Sequence, residues 1–408
     1  MTRHTLDAAP ATVTDVFSRE RPAVVTAGPG DTVVAGSLDA SGYLSRQRYP
    51  GEERPTMLSG RRGHCLTGPI AVQGAEPGMV LAVRFVSLWP GDWGWTVAAS
   101  RDNRLTRRLG VAGGPPSWLL WEIDADAGLA VSDRGHTVTV APFLGVVGMP
   151  PAEPGEHSTI PPRAEGGGNI DCRELVAGST LYLPVTVDGA LLCLGDGHAA
   201  QGDGEVSGTA IECAMTTEVV LDLLPGTAAP VPGSHAETPA GRVTFGFSHD
   251  LDEAMGDALD AMLTWMQSLF GLDRAAALAL AGPTVDLRVT QVANDVWGVH
   301  AVLPTGAVRR LPAGQHRRGV VGHVGLHVPW HPHVALGVRP RRQAHRLEPH
   351  VVVQDRAEQV GDHVDPGAAL VVALHHVPGR LGDVGVHEHL VLGPRVLLPA
   401  GDRLQVHR

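Results

Sequence analysis

The chain has 408 residues, more than one hydrophobic core usually organises, so two or more structural units are expected. It is 43% apolar and 18% charged, which excludes a disordered chain and permits a large buried core. No apolar run reaches the roughly 18 residues of a membrane span, the N-terminus MTRHTLDAAP lacks the apolar stretch of a secretory signal, and a net charge of −11 argues against nucleic acid as a partner.

Gly (51) and Pro (32) make up about a fifth of the chain and aromatics only 4%, which suits a turn-rich β protein better than a helical bundle. In chain order, residues 23–39 and 67–90 read as short strands between turn signals, with Val33-Val34, Pro69 to Val72 and Val80 to Val86 as their apolar runs. Residues 136–149 alternate and then become continuously apolar, as core-facing strands do. Residues 179–194 read as two strands around Asp188-Gly189, the strongest hairpin signal in the chain. Residues 205–223 read as two more strands. Asp250 then caps a helix whose apolar stripe runs from Leu251 through Ala254, Ala258, Met262, Trp265 and Met266 to Leu269, with Gly271 as its stop. Asp273 caps a second helix over 274–281, ended by Gly282-Pro283. Strands at 284–292 and 296–303 follow, around an Asn294-Asp295 turn. The order predicts an α+β, mainly β chain: sandwich- or jelly-roll-like β layers with a late helical pair. Residues 1–160 are expected to form an N-terminal β-rich part and 161–309 the part that carries the chemistry.

Composition breaks near residue 310. Residues 310–408 hold 13 of the 21 histidines, 12 arginines and 8 acids, so this segment carries +4 and the first 309 residues −15. The segment lacks Ser, Thr, Asn, Ile, Phe, Tyr, Met and Cys, the residues that normally supply caps, turns and core rings. Its histidines, His327, His331 and His333 among them, show no ligand spacing. It is read as an atypical appended tail, not a native domain.

The informative stretch is 194–212, LGDGHAAQGDGEVSGTAIE. It packs Asp196, His198, Gln201, Asp203, Glu205 and Glu212 among five glycines at the end of an apolar strand. Residues at i and i+2 of an extended chain share a face, which pairs Asp196 with His198 and Asp203 with Glu205. One imidazole among carboxylates suits Zn²⁺ at a catalytic site with an open position, or Mn²⁺, and the further acids suit Ca²⁺. A spare carboxylate is available as a general base. The plain alternative is a polar loop with its acids in solvent. A second cluster, Pro161 to Asp171, places Gly166, Gly167 and Gly168 before Asn169. It reads either as a loop presenting backbone N–H groups and an amide to a ligand, or as an ordinary glycine turn. Cys65, Cys172, Cys193 and Cys213 form no CxxC pair and read as small buried hydrophobes in a reduced, cytoplasmic protein.

At these residues the chain resembles the acetamidase/formamidase family, from about Thr32 to Arg309. The signatures are Leu66-Thr-Gly-Pro-Ile70 with Gly74-Ala-Glu-Pro-Gly78; Pro142-Phe143 through His157-Ser-Thr-Ile-Pro-Pro162; Gly167-Gly-Asn-Ile-Asp171; Gly195-Asp-Gly-His-Ala-Ala-Gln-Gly-Asp-Gly-Glu205 with Thr209-Ala-Ile-Glu212; and Thr290-Gln291 through Gly298 to Pro304. The resemblance implies hydrolysis of formamide or acetamide to ammonia and a carboxylate by a cytoplasmic homo-oligomer with a divalent metal, zinc or calcium, at the acidic cluster. By motif it implies Asp196, His198 and Glu212 as metal ligands. It implies Glu205, Asp203 and Gln201 as catalytic groups, the two acids for proton transfer, and Asn169, Asp171 and Gly168 as the substrate wall. Met79 departs from the pattern, standing where the family usually has Asp after AEPG.

Overall fold

A computed structural model describes residues 1–98 and 102–309 and the backbone of two short strands, Val371–Leu374 and Glu388–Val391. Met1–Arg309 form one compact unit, and its strands join in a single hydrogen-bonded network of eighteen, plus a small two-stranded pair. The chain is mainly β, as its Gly- and Pro-rich, helix-poor composition predicts. Among the described residues, no helix is long and apolar enough to cross a membrane. Strand pairing crosses residue 160 repeatedly: Met215 pairs with Ser37, and His198 with Phe143. In the second unit Val371–Leu374 and Glu388–Val391 pair antiparallel. The rest of the atypical tail, with His327, His331 and His333, lies outside the described residues.

Two strands form the backbone of the unit. Met79–Ala98 and Glu212–Pro225 pair antiparallel from Pro225↔Met79 to Glu212↔Trp95. The sequence places short strands within 67–90, with Val80 to Val86 as the last apolar run. The strand instead runs on to Ala98, with register shifts opposite it between Cys213 and Met215 and between Glu218 and Val219. Bulges of this kind bend and twist a long strand without ending it.

Residues 205–223 hold one strand, not two, because the stretch before Glu212 is a loop. The hairpin expected at Asp188-Gly189 is also corrected. Thr180–Pro184 pairs with Met79–Ala98 through Leu181↔Val83, whereas Leu192–His198 pairs with Phe143–Gly148 and Leu66–Val72. Ala190 and Leu191 both take positive φ, 60° and 56°, and the chain leaves the turn in a new direction. A dipeptide turn signal specifies the turn, while the partner of each strand is chosen by burial.

The late helices match the reading at both ends. In Leu251–Phe270 the Asp250 carboxylate accepts hydrogen bonds from the Asp252 and Glu253 N–H groups. Gly271 closes the helix at φ 66°, a conformation that costs other residues about 1–2 kcal/mol. Ala254, Ala258, Met262 and Met266 face a local core completed by Val299, Ala301 and Leu303. Arg274–Ala281 is capped by Asp273 through the Ala276 N–H. A short helix, Arg104–Arg108, carries no periodic pattern that reveals it in the sequence.

Candidate active site

The strand Leu192–His198 is buried along its whole length and carries Asp196 and His198 into the interior. His198 lies between two neighbours in register, Phe143 on one strand and Glu212 on the other. The strand Gly167–Asn169 pairs with Phe143–Gly148 on the far side. The Gly145 carbonyl then accepts from the Ile170 and Asp171 N–H groups, which turns Asp171 back toward the same point. The loop after His198 brings Glu205 in. It is held by backbone bonds from Gly204 N–H to the Thr290 carbonyl and from Val292 N–H to the Gly204 carbonyl.

Asp171, Asp196, His198, Glu205 and Glu212 therefore converge in the interior, each less than a tenth exposed. Ligand atoms of Asp171, Asp196 and His198 lie within 4.8 Å of one another, and so do those of His198, Glu205 and Glu212. The His198 Nε2 is 3.6 Å from Asp196 Oδ1 and 3.4 Å from Glu212 Oε1. Among the described residues, five non-glycine residues have positive φ, and three of them are Asp171 (53°), Asp196 (59°) and Glu205 (43°). Backbone strain of this kind costs about 1–3 kcal/mol per residue and gathers where side chains must be aimed against local preference.

Such a buried set of acids is electrostatically unfavourable by itself. Burial pushes Asp171 and Glu205 well above the usual carboxylate range; Asp171 raises Glu205 further, while Asp196 and Glu212 raise both. Burial pushes Glu212 up to about 7. Burial also works against the Asp196 carboxylate, but His64 and His198 together hold it below its ordinary value. Burial opposes the His198 imidazolium, yet Glu212 and Asp196 raise it well above the usual range.

The donor set fits a divalent cation. Asp171 Oδ1 and Oδ2, Asp196 Oδ1, His198 Nε2 and Glu212 Oε2 are buried without a hydrogen-bond partner in the protein, an arrangement that costs about 1–3 kcal/mol or more per group unless something fills it. The tautomer is arranged to match. Gln201 donates its amide N–H to the Asp171 carbonyl at 2.7 Å, so its Oε1 accepts from His198 Nδ1 at 2.9 Å. That leaves Nε2 as the lone-pair nitrogen facing the acids.

A cavity of about 400 Å³ opens above the cluster and is lined in part by Asn169, Asp171, Asp196, Glu205 and Glu212. Asn169 Oδ1 is buried with no protein partner. Gly168 contributes backbone only, paired with Val147 behind the wall. Asp203 does not join the cluster. Its side chain is 35% exposed and points to Arg288, whose Nη1 lies 4.0 Å away and binds Glu174 at 2.6 Å. The i, i+2 rule that pairs Asp203 with Glu205 fails because this stretch is loop, with Gly204 and Glu205 both at positive φ. Gln201 holds His198 instead of facing the cavity centre.

Two contributors carried no signal in the sequence. His64 approaches Asp196 Oδ2 at 3.9 Å from a loop more than a hundred residues away. Gly145 supplies space: a Cβ there would lie 2.5 Å from Asp196 Oδ2 and 2.6 Å from Asp171 Oδ1. All four cysteines are buried free thiols, and burial pushes those of Cys65 and Cys193 up to about 12, which disfavours the thiolate.

The chain is similar to known proteins in sequence and fold. The model of the Acetamidase/Formamidase family matches residues 152–305, which include the Asp171, Asp196, His198, Glu205 and Glu212 cluster. An acetamidase of Mycolicibacterium smegmatis is 29% identical over 221 residues, 40% of this chain and 54% of that protein. A formamidase of Methylophilus methylotrophus is 26% identical over 255 residues, 50% of this chain and 62% of that protein. The chain thus spans between half and two thirds of these relatives. The crystal structure of an acetamidase from Bacillus halodurans superposes with a TM-score of 0.65 at 27% identity, covering 74% of this chain and 97% of that one. Ordered motifs, family match and shared fold point the same way: residues 152–305 match the Acetamidase/Formamidase family, and the chain is similar to its members in sequence and fold.

Proposed function

We propose that the protein hydrolyses a carboxamide, R–CO–NH₂, to the carboxylate and ammonia, with Asp196, His198 and Glu212 as cation ligands and Glu205 as the proton carrier. The observation that carries this reading is the set of buried, unpartnered donor atoms of Asp196, His198 and Glu212 opening on a cavity beside a carboxyl with a raised pKa. A divalent cation held there, zinc by the mixed imidazole and carboxylate set, would supply Lewis acidity to the amide carbonyl and to water.

The chain's own groups do the rest. Glu205, its affinity for protons raised by burial and by Asp171, accepts a proton from the attacking water. The water oxygen bonds to the carbonyl carbon as Glu205 returns that proton to nitrogen, so the C–N bond breaks with ammonia as the leaving group. The buried Asp171 carboxyl beside Glu205 raises its affinity for protons and so tunes it. The free Asn169 Oδ1 is placed to accept from the substrate NH₂ and so to orient the amide.

The test is ammonia release from formamide and acetamide, before and after exhaustive chelation, with Glu205→Gln alongside. Turnover should require the cation, and the variant should keep the cation and lose about 10²–10⁴ in kcat, the usual worth of a general acid–base group. Chelation-resistant turnover would remove the cation from the reaction. Wild-type turnover in Glu205→Gln would remove Glu205. Bound cation with no ammonia from any amide would make the protein a binding module.

A further inference from the structure

The cavity above the cluster is larger than the smallest amides need. Its volume is about 400 Å³; at roughly 30 Å³ per water-sized group it has room for about a dozen non-hydrogen atoms. Formamide has three and acetamide four.

The surplus space has a defined chemistry. Register places Trp95 directly opposite Glu212, while Glu212 is opposite His198 on its other side. Directly paired residues project from the same face of a sheet, about 5 Å apart at Cβ, so the indole stands beside the cation-ligand carboxylate. Val97 follows on the same face of that strand and pairs with Trp118 on the next. Tyr43 meets Trp95 edge-on at 6.1 Å, and Trp118 lies against Trp95 at 5.5 Å between ring centroids. Ile160 also lines the cavity.

Aromatics are 4% of the chain, yet three of them line this one cavity. The wall is fixed in place: Trp95 Nε1 donates to Asp39 Oδ2 at 3.0 Å, and the Arg54 guanidinium stacks 3.5 Å over the Tyr43 ring. Arg62 at the rim is paired with Asp15 and Glu156, and Arg61 donates to the Ala40 carbonyl. One side of the cavity is therefore acidic and polar, and the other is a rigid aromatic surface.

Building on the amidase reading, we infer that the site takes carboxamides whose acyl group is aromatic or of comparable apolar bulk. The amide group lies at Asn169 and the carboxylates, and the acyl group against Tyr43, Trp95 and Trp118. An acetyl or formyl group leaves that surface uncovered and gains nothing from it. A pocket-filling methylene is worth roughly 10–200-fold in kcat/KM, so a ring in contact with the wall is worth at least two such steps.

The test measures ammonia release by the full-length protein from phenylacetamide, with ten non-hydrogen atoms, and from acetamide. Phenylacetamide should be preferred by about 100-fold in kcat/KM, and Trp118→Ala and Trp118→Leu should each cut that ratio about tenfold. Acetamide turned over with a preference for phenylacetamide below tenfold overturns the inference and leaves the amidase reading standing. Ammonia from neither amide overturns both. A wild-type preference that both Trp118 variants retain overturns the assignment of the wall.

Discussion

Gly145→Ala tests the convergence of the cluster more directly than removal of any ligand. Gly145 lies in the strand Phe143–Gly148 with an ordinary backbone conformation, so alanine meets no conformational penalty there. The added methyl would sit 2.5 Å from Asp196 Oδ2, 2.6 Å from Asp171 Oδ1 and 2.9 Å from His198 Cε1. Contacts under 3.0 Å force something to move, and the atoms that move are the tips of three short side chains. Overpacking in a core costs about 1–3 kcal/mol, offset by about 0.4–1 kcal/mol for stiffening the unfolded chain. The net loss is on the order of 1–2 kcal/mol, a few degrees in Tm for a unit of this size. The effect on the cation is larger, because ligands displaced by even half an ångström no longer share one ion, and disturbances of this class cost about 10–100-fold in affinity. Thermal unfolding and metal titration on the same variant separate the two effects. The expected result is a nearly intact Tm with cation affinity and amide turnover lost together. Wild-type affinity and turnover in Gly145→Ala would mean that Asp196 and His198 do not act on one ion, and the proposed mechanism would fall with that finding.

Three further outcomes follow from particular contacts. Gln201→Leu removes the acceptor that holds His198 Nδ1, so cation affinity should drop about 10–100-fold by competitive titration; unchanged affinity would show that the tautomer is set elsewhere. Asp203→Asn acts on a side chain facing Arg288, so kcat should stay near wild type and stability within about 0.5 kcal/mol; a tenfold loss of kcat would return Asp203 to the proton path. Burial, aided by Arg288 and Arg173, depresses the His300 pKa to about 3 from 6.5, so the folded state keeps it neutral while the unfolded chain protonates it below 6.5. Its contribution is present in full above pH 6.5 and is lost as pH falls toward 3. At about 1.4 kcal/mol per pH unit that amounts to about 3 kcal/mol by pH 4. His300→Gln should flatten the fall of Tm between pH 6.5 and 4, and an unchanged slope would exclude His300 as its cause.

Local signals in the sequence were reliable where one segment decides its own structure. Asp250 and Gly271 bracket the long helix because capping and left-handed closure involve only neighbouring backbone. The Gly-rich run after Leu194 reads as a site because acids beside an apolar strand have no solvent to face once that strand is buried. The residues that converge are then legible as a group, but Asp203 is not separable from Glu205, since extended-chain alternation is the available geometry until the loop is known to turn at Gly204. The hairpin at Asp188-Gly189 misled for a related reason: the turn forms, yet Leu192–His198 gains more by pairing inside the core with Phe143–Gly148 than beside Thr180–Pro184.

Least legible is what depends on register between distant strands. Glu212 and Trp95 are more than a hundred residues apart, and neither sequence context names the other. They become neighbours because Met79–Ala98 continues past residue 90, and because its surplus residues opposite Glu218–Val219 and Cys213–Met215 are taken up in two bulges. Had the strand ended at Pro90, Trp93, Trp95 and Val97 would belong to a surface loop, and the acids would face an open cleft. The same irregularity that hid the strand from a reading of the sequence therefore builds the aromatic wall. The ligand motif sets which bond is attacked, and the bulged ladder beside it sets which acyl group is held there, so acyl preference can change through Met79–Ala98 while the motif stays intact.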